Sequence, residues 1–471
     1  MNRNNFLPHI ALALVLILVA AFAGQLRKWQ KQWRTSVRLV PAASKTREVW
    51  AQDGIARDDT GVSSEPELLV KFRPGVSKEK IREITARLHD QVEDEIEAVP
   101  GLETIDDLDN ADRELVASEY RSLGEVEYAE VNQVIALEPS EEIKGKHPSD
   151  PRFAEQWALA NNGSNGGKAG ADISATKAWE VTTGSDQIVV AVLDSGVDYN
   201  HEDLVHNIWT RPANIEQYQD ADLGMIDDLH GYNAVDNNGD PFDENGHGTH
   251  CAGIIGAEGG NDVGITGVNW KVQIMPLKFM NAGGFGTTAA AIKAINYAIE
   301  RRTHSGVNVR VINASWGSTQ RSRALEDVIR KAYEAGILFV AASGNSRTDT
   351  DRTPHYPASY NLGNVISVAA LDRNDELASF SNYGAKTVHI AAPGKDILST
   401  WLGNDYQEHS GTSMATPVVA GVAALVLSAH PNLSVEQLRS RLLKSVDEIP
   451  SLRGKVFTNG RINAAKAVGA E

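Results

Sequence analysis

From about Asp150 to the carboxyl terminus, uninterrupted apolar runs alternate with helix-period segments, and few folds accept that pattern. QIVVAVLD, QIMPLKFM, VRVINASW, ILFVAASG, VISVAAL and VHIAAP read as strands buried on both faces, with helices such as TTAAAIKAINYAIERR between several of them. A strand without polar alternation cannot turn one face to water. The predicted class is therefore α/β, a doubly wound and mostly parallel sheet with helices on both sides. Ligands of such sheets sit at the carboxyl ends of the strands, so the chemistry is sought in the residues that end each run.

Composition removes several function classes. With 45 Lys+Arg against 62 Asp+Glu the formal charge is −17, the wrong sign for a nucleic-acid partner. At 42% hydrophobic and 23% charged, the 471 residues suit a globular chain of two or three domains. A single cysteine, Cys251, excludes an intrachain disulfide, so stability outside the cytoplasm has to come from packing or bound ions.

Residues 1–24 contain the apolar run Ile10 to Gly24, which suits the core of an export signal and, extended back to Phe6, a membrane span. Ala21-Phe22-Ala23 has the small-x-small pattern of a cleavage site. Arg27, Lys28, Lys31 and Arg34 follow at once, which leaves an uncleaved anchor open beside a cleaved signal. Export is expected by either route, secreted or anchored, with the membrane contacted only through this segment. Residues 25–65 lack periodicity and read as a linker.

Residues 66–139 change character. ELLVKF reads as a strand, KEKIREITARL as an amphipathic helix, then two strands, a second helix near Asp109 to Ser122, and a closing strand in EVEYAEV. The order is β-α-β-β-α-β, a small α+β ferredoxin-like unit. It holds 19 acidic and 8 basic side chains, a net of −11. Residues 140–149 form a polar stretch that reads as an exposed junction, and the large domain spans 150–471.

Three glycine-rich blocks mark the large domain. Asp194 ends the first apolar strand in DSGVD, His247 opens a helical run in HGTHCAG, and Ser413 stands at the start of a long apolar helix in GTSMATP. A serine hydroxyl is a weak nucleophile at neutral pH. It needs a base within hydrogen-bond reach, and that base needs an acceptor to hold its tautomer. Singly, each residue reads as a cap or an ion-pair partner; together, the order Asp, His, Ser on a parallel sheet is one of the known triad orders.

These three blocks, with SGN around Asn345, resemble the active-site blocks of the subtilisin-like serine proteases, thermitase and proteinase K types included, over essentially all of residues 150–471. The resemblance implies a serine endopeptidase acting on protein or peptide substrates, a monomer made as a self-processing zymogen. Residues 66–139 would be its inhibitory propeptide. It further implies an oxyanion site at Asn345 and the Ser413 amide, and substrate edges at Gly284-Phe285-Gly286 and Ser315-Trp316-Gly317. Phe285 and Trp316 would then wall a distant pocket, the alternative being ordinary surface aromatics. His355 would floor the pocket for the side chain before the scissile bond, disfavouring Phe and Tyr and admitting Glu below about pH 6.5, where an ordinary imidazole is charged. Cys251 reads as a buried, non-catalytic thiol.

Two calcium sites are expected. NAVDNNGDPFDENG places Asn233, Asp236, Asn238, Asp240 and Asp243 just before His247, oxygen donors spaced as a calcium loop needs them, with a solvated acidic turn as the alternative. The second follows from the resemblance: Asp150, Asp203 and Asn261 with backbone oxygens of Glu258, Val263 and Ile265. No site is read into the insertion Trp209 to Leu229. A catalytically dead scaffold is the rival reading, and no triad or oxyanion residue is replaced to support it.

Overall fold

The computed structural model describes residues 68–470 apart from 97, 109–110, 137–140, 143–151, 164–165 and 222. The expected export segment, the linker 25–65, most of the junction 140–149 and Asp150 lie outside the described residues.

The small unit follows the expected element order. Strands β1 (Leu68–Phe72), β2 (Asp90–Glu95), β3 (Leu102–Asp107) and β4 (Val126–Val131) form an antiparallel sheet in the order β2-β3-β1-β4. Helices Lys78–Leu88 and Arg113–Arg121 cover one face, and Ser77 and Asp112 cap their amino termini. Strand periodicity divides the apolar residues between two cores. Leu68, Val70 and Phe72 point to the helices, whereas Leu69, with Ile96, Leu102 and Tyr128, joins the core of the large domain.

The large domain is built on a nine-stranded sheet. In chain order its first five strands are β7 (Gly184–Asp194), β10 (Tyr232–Asn233), β11 (Lys271–Lys278), β13 (Val309–Ala314) and β14 (Leu338–Ala342). The others are β15 (Val365–Leu371), β16 (Ile390–Pro393), β19 (Val446–Glu448) and β20 (Gly460–Ile462), and across the sheet the order is β10-β11-β7-β13-β14-β15-β16-β20-β19. All neighbours run parallel except the closing β19–β20 pair, which the sequence did not suggest. Val, Ile, Leu and Ala in β7, β13, β14 and β15 feed apolar clusters on both faces, with helix Thr412–Ala429 on one and helices Thr288–Thr303 and Arg323–Glu334 on the other. After β7 the chain winds one way to β11 and then returns to place β13 on the other side. The sheet therefore reverses its winding at β7, whose carboxyl end is Asp194.

The insertion after Trp209 forms a hairpin of β8 (Tyr218–Asp220) and β9 (Gly224–Ile226). Asp228 locks it down: fully buried, its carboxylate pairs with Arg301 and Arg211 (3.2 Å) and accepts from the Tyr297 hydroxyl. An acid committed to two guanidinium groups has nothing left for a metal.

The two units meet through charged contacts and a strand edge. Glu130 accepts from the amides of Arg323 (2.9 Å) and Ala324 (3.2 Å), and Asn132 from that of Ala289 (3.1 Å), so each sits at the amino terminus of a helix, where unpaired amides favour an acceptor. Lys293 pairs with Asp94 at 2.7 Å. Beyond Asn132, β5 (Val134–Ala136) lies antiparallel to β12 (Phe285–Thr287), and β6 (Glu141–Glu142) pairs with His409 and Ser410 in β18 (Asp405–Ser410).

Candidate active site

Asp194 is carried by β7 to the carboxyl end of the sheet and is fully buried there. Helix His247–Gly256 brings His247 against it, with Nδ1 2.8 Å from Asp194 Oδ1. Two glycines permit the approach. A Cβ on Gly248 would stand 2.0 Å from the Gly196 carbonyl oxygen, and one on Gly246, at φ 102°, would strike the Trp401 ring. Burial pulls the His247 pKa down, but the Asp194 charge and hydrogen bond, with a smaller contribution from Asp243, hold it above the ordinary value.

Ser413 lies in the first turn of helix Thr412–Ala429, and Pro417, inside the helix, has no amide to donate to the Ser413 carbonyl. Its hydroxyl donates to the Ser315 carbonyl at 2.9 Å, while His247 Nε2 has no partner among the described residues. The serine–histidine bond is thus unmade in this state. Cys251, one turn along from His247, ties the two helices together, with Sγ 3.6 Å from the Ser413 carbonyl oxygen. Ligand atoms of Asp194, His247 and Cys251 lie within 4.8 Å of one another. Burial and the Asp194 charge push the Cys251 thiol well up, away from the thiolate a nucleophile requires.

Asn345 follows β14. Its Oδ1 accepts from the amide (2.8 Å) and hydroxyl (2.9 Å) of Thr412, which fixes the side-chain amide. The point where a Cβ on Gly411 would stand is 3.3 Å from Asn345 Nδ2 and 3.6 Å from the Ser413 amide nitrogen. Two donors therefore border one small space beside the serine.

Of the two expected edges, Gly284-Phe285-Gly286 leads into β12 and is paired with β5. Ser315-Trp316-Gly317 follows β13, and Ser315 Oγ donates to the Ser413 carbonyl at 2.8 Å. The expectation for Trp316 is corrected. Its indole is fully buried, lies 4.8 Å from the Phe279 ring and donates to the Leu193 carbonyl, so it supports the edge from the core instead of walling a pocket. His355 stands between the two segments: a Cβ on Gly317 would be 2.2 Å from its Nε2, and one on Gly344 3.1 Å. Burial lowers its pKa to about 4, so the imidazole is neutral at pH 6.5 and the expected gain for Glu has no basis.

The cation expectations divide. Asp203 is fully buried and accepts from Asn261 Nδ2 (2.8 Å), the Ile265 amide (3.0 Å) and the Tyr406 hydroxyl (3.2 Å). Burial raises its pKa to about 6, and no cationic side chain among the described residues pairs with it. The loop carrying Glu258, Asn261, Val263 and Ile265 folds over this carboxylate, which takes the Asn261 side-chain amide and the Ile265 backbone amide but no positive charge among the described residues. A buried acid left without a cation is what suits the site to a hard divalent ion.

The loop before His247 does not fit one. Asn233 Oδ1 accepts from the amides of Val235 (2.9 Å) and Asp236 (3.0 Å), so its orientation is set. Its Nδ2 then points inward and donates to Asp236 Oδ2 (3.0 Å) and the Asp240 carbonyl (2.9 Å), oxygens that a cation would need. Asn238 Oδ1 accepts from the Asp240 amide, and Asp240 Oδ1 from the Tyr199 hydroxyl (2.8 Å). Asp243 faces away, into the start of the His247 helix. The pattern of oxygen-bearing side chains was real, but an amide nitrogen holds the centre.

Sequence reasoning missed what Asp243, Ser195 and Thr249 do. The signal was present: an acid four residues before His247, and a serine and a threonine inside the two motif blocks.

A family model described as the subtilase family matches residues 185–466. A thermophilic serine proteinase of Bacillus sp. (strain AK1) is 42% identical over 291 residues, covering 62% of this chain and 64% of that protein. Thermitase of Thermoactinomyces vulgaris is 37% identical over 296 residues, covering 63% of this chain and 93% of that protein. Subtilisin-like protease 2 of Plasmodium falciparum (isolate 3D7) is 38% identical over 293 residues, of which the match spans only 21%.

The amide clamp is open to test by calorimetry of a Ser413→Ala protein. Asn233→Ala removes, from a buried position, the two bonds Asn233 donates to Asp236 and Asp240 and the two it accepts from the Val235 and Asp236 amides, and should lower unfolding stability by about 1–3 kcal/mol. Calorimetry should return the same loss with and without chelator. A loss confined to calcium-loaded protein would mean that an ion, and not the amide, closes this loop.

Proposed function

The chain belongs to the subtilase family, and from that membership we propose that it is an exported, calcium-stabilised serine endopeptidase made as a self-processing zymogen. The observation that carries the catalytic reading is the 2.8 Å bond between Asp194 and His247 beside Ser413, at the point where the sheet reverses its winding. In the proposed reaction the Ser413 hydroxyl turns from the Ser315 carbonyl to His247 Nε2. Its oxygen attacks the peptide carbonyl as the imidazole takes its proton, and Asp194 stabilises the imidazolium. Asn345 Nδ2 and the Ser413 amide donate to the oxyanion; removing one such donor from an enzyme of this kind typically costs about 10²–10³ in turnover. The imidazolium then protonates the leaving amine, and water repeats the sequence on the acyl-serine. The base must be neutral to act, so its raised pKa places the acid limb of activity above the ordinary imidazole value of about 6.5.

Residues 66–139 are read as the propeptide. The support is that β5 already pairs with β12 as an added strand, the way a peptide substrate uses a free edge, while Glu130 and Asn132 sit on two helix amino termini. With β5 ending at Ala136 and β6 beginning at Glu141, the processing cut is proposed to fall between those two strands. Export rests on the apolar run Ile10 to Gly24.

Ser413→Ala should fold and lack peptidase activity. It should also accumulate uncut between Ala136 and Glu141, where wild type gains a new amino terminus detectable by mass spectrometry. Activity surviving the substitution would end the serine reading, and wild-type enzyme active without a cut there would end the zymogen reading.

For calcium, Asp203 and Asn261 are proposed to hold the ion, with carbonyls of Glu258, Val263 and Ile265 and with Asp150. Binding only the native state stabilises it by about 2.7 kcal/mol at a hundredfold excess over the dissociation constant. Chelation should lower the melting temperature of wild type, and Asp203→Ala should abolish that response while Asp240→Ala leaves it intact. An equal response in all three proteins would remove the assignment.

His355 is proposed to floor the pocket for the residue before the scissile bond, between Gly317 and Gly344. His355→Gly should raise kcat/KM for cleavage after Phe and Tyr roughly tenfold or more, since each methylene accommodated is worth about 1–3 kcal/mol. The Glu-to-Gln ratio of wild type should stay flat between pH 5 and 7.5. A peptide series reads both; unchanged aromatic cleavage would show that His355 lies elsewhere than the pocket floor.

A further inference from the structure

We infer that Asp243 is a positioning residue for the reaction: its buried carboxylate pins the first turn of the His247 helix to the residue after Asp194 and so sets where the imidazole stands. The inference rests on the endopeptidase reading above.

Asp243 is fully buried, and its carboxylate accepts five hydrogen bonds. Oδ1 takes the Ser195 hydroxyl (2.9 Å) and the amides of Asn245 (2.9 Å) and Gly246 (3.0 Å). Oδ2 takes the amide (3.0 Å) and hydroxyl (2.6 Å) of Thr249. Donors from both sides of His247 are thus gathered on one group. Ser195 completes the circuit. Its amide donates to Asp194 Oδ1 at 2.8 Å, the oxygen that also receives His247 Nδ1, and its hydroxyl accepts from the Gly248 amide at 3.0 Å. The bonds of His247 and Ser195 to Asp194 and of Gly248 to Ser195 close a ring through the His247–Gly248 peptide bond, and the Ser195 hydroxyl ties Asp243 to it. Thr249 Oγ1 adds a strut by accepting from the Asp198 amide at 2.9 Å.

The plainer role is a helix cap, worth stability alone. Two features go beyond it. A cap needs only the orphan amides of its own helix, whereas Asp243 also holds Ser195, 48 residues away and next to the triad acid. Its charge also faces the imidazole. The other titratable groups around His247 are Asp194 from β7 and, on the same helix, Cys251 with a protonated thiol and His250, which burial keeps neutral. Lys278 lies beyond Ser195, whose carbonyl it reaches at 2.9 Å, and pairs with Glu244 at 3.6 Å. Asp243 is therefore the second anion acting on the imidazole, behind Asp194.

The test is the pH dependence of kcat and kcat/KM on a soluble peptide for the self-processed enzyme carrying Asp243→Asn. The substitution keeps the size, removes the charge and breaks the bonds to Thr249. Displacements of about 1 Å at a reacting group cost about 10²-fold, so kcat should fall about 10- to 100-fold while KM stays within about threefold. The acid limb should move to lower pH. A folded Asp243→Asn enzyme with wild-type kcat and acid limb, or one altered only in KM, overturns the inference. Should Asp243→Asn fail to fold, Ser195→Ala decides, since it opens the ring and leaves the Asp243 bonds to the helix. Reduced kcat at unchanged KM supports the ring, and wild-type kcat overturns it. Activity that survives Ser413→Ala would instead defeat the endopeptidase reading, a separate result.

Discussion

The site depends on how closely the amino terminus of the His247 helix can approach the carboxyl end of β7. Gly196 and Gly248 are in contact where any Cβ would overlap a carbonyl, and Gly246 yields to the Trp401 ring. That approach brings the imidazole within 2.8 Å of Asp194 and leaves the helix amides facing Asp243 and Ser195. The second helix, Thr412–Ala429, is drawn into register by the contacts of Thr412 with Asn345 and of Ser413 with Ser315 and Cys251. Reaction groups from β7, β14 and two helices are thereby held by short polar contacts at one edge of a rigid apolar sheet.

Buried carboxylates are the recurring problem in this molecule, because an ionised acid taken from water must find a replacement for its solvent. Beside the triad's Asp194, three others are fully buried among the described residues of the large domain, and each is answered differently. Asp228 has two arginines and a tyrosine and clamps the insertion hairpin. Asp243 has five hydrogen-bond donors and no cation, which suits a group whose task is to hold backbone amides. Asp203 has three donors, no cationic side chain among the described residues and a pKa pushed to about 6, so it alone is left wanting a positive charge. The same test separates the two calcium expectations, since the loop at Asn233 already satisfies its oxygens with an amide.

The acidic small unit approaches the large one by the same logic. Its carboxylate at Glu130 and its amide oxygen at Asn132 meet helix amino termini, and Asp94 meets Lys293, while Leu69, Ile96 and Leu102 join a shared apolar core. Its last strand then adds to a free edge of the partner. Each contact supplies what the opposing surface lacks: an acceptor, an anion, or a neighbouring strand.

The parallel sheet and the three motif blocks were legible in the chain itself, because strand burial and glycine-bounded turns are local properties that leave periodic and compositional marks. Asp194, His247, Ser413 and Asn345 could be singled out for the same reason, each lying at the end of a readable element. What the sequence could not tell was how residues from distant elements would share space. Asn233, Asp236 and Asp240 read as cation ligands until the fold turned an amide hydrogen into their midst. Trp316 read as a pocket wall until β7 offered its indole a carbonyl in the core. His355 kept the ordinary imidazole pKa on paper and lost it on burial between Gly317 and Gly344. Asp243 stands only four residues before His247, yet its partner Ser195 lies 48 residues earlier, just after β7. Local pattern determined which elements form and which residues end them; the environment of each side chain was decided by tertiary packing, because burial and hydrogen-bond partners belong to the assembled structure and not to any one segment.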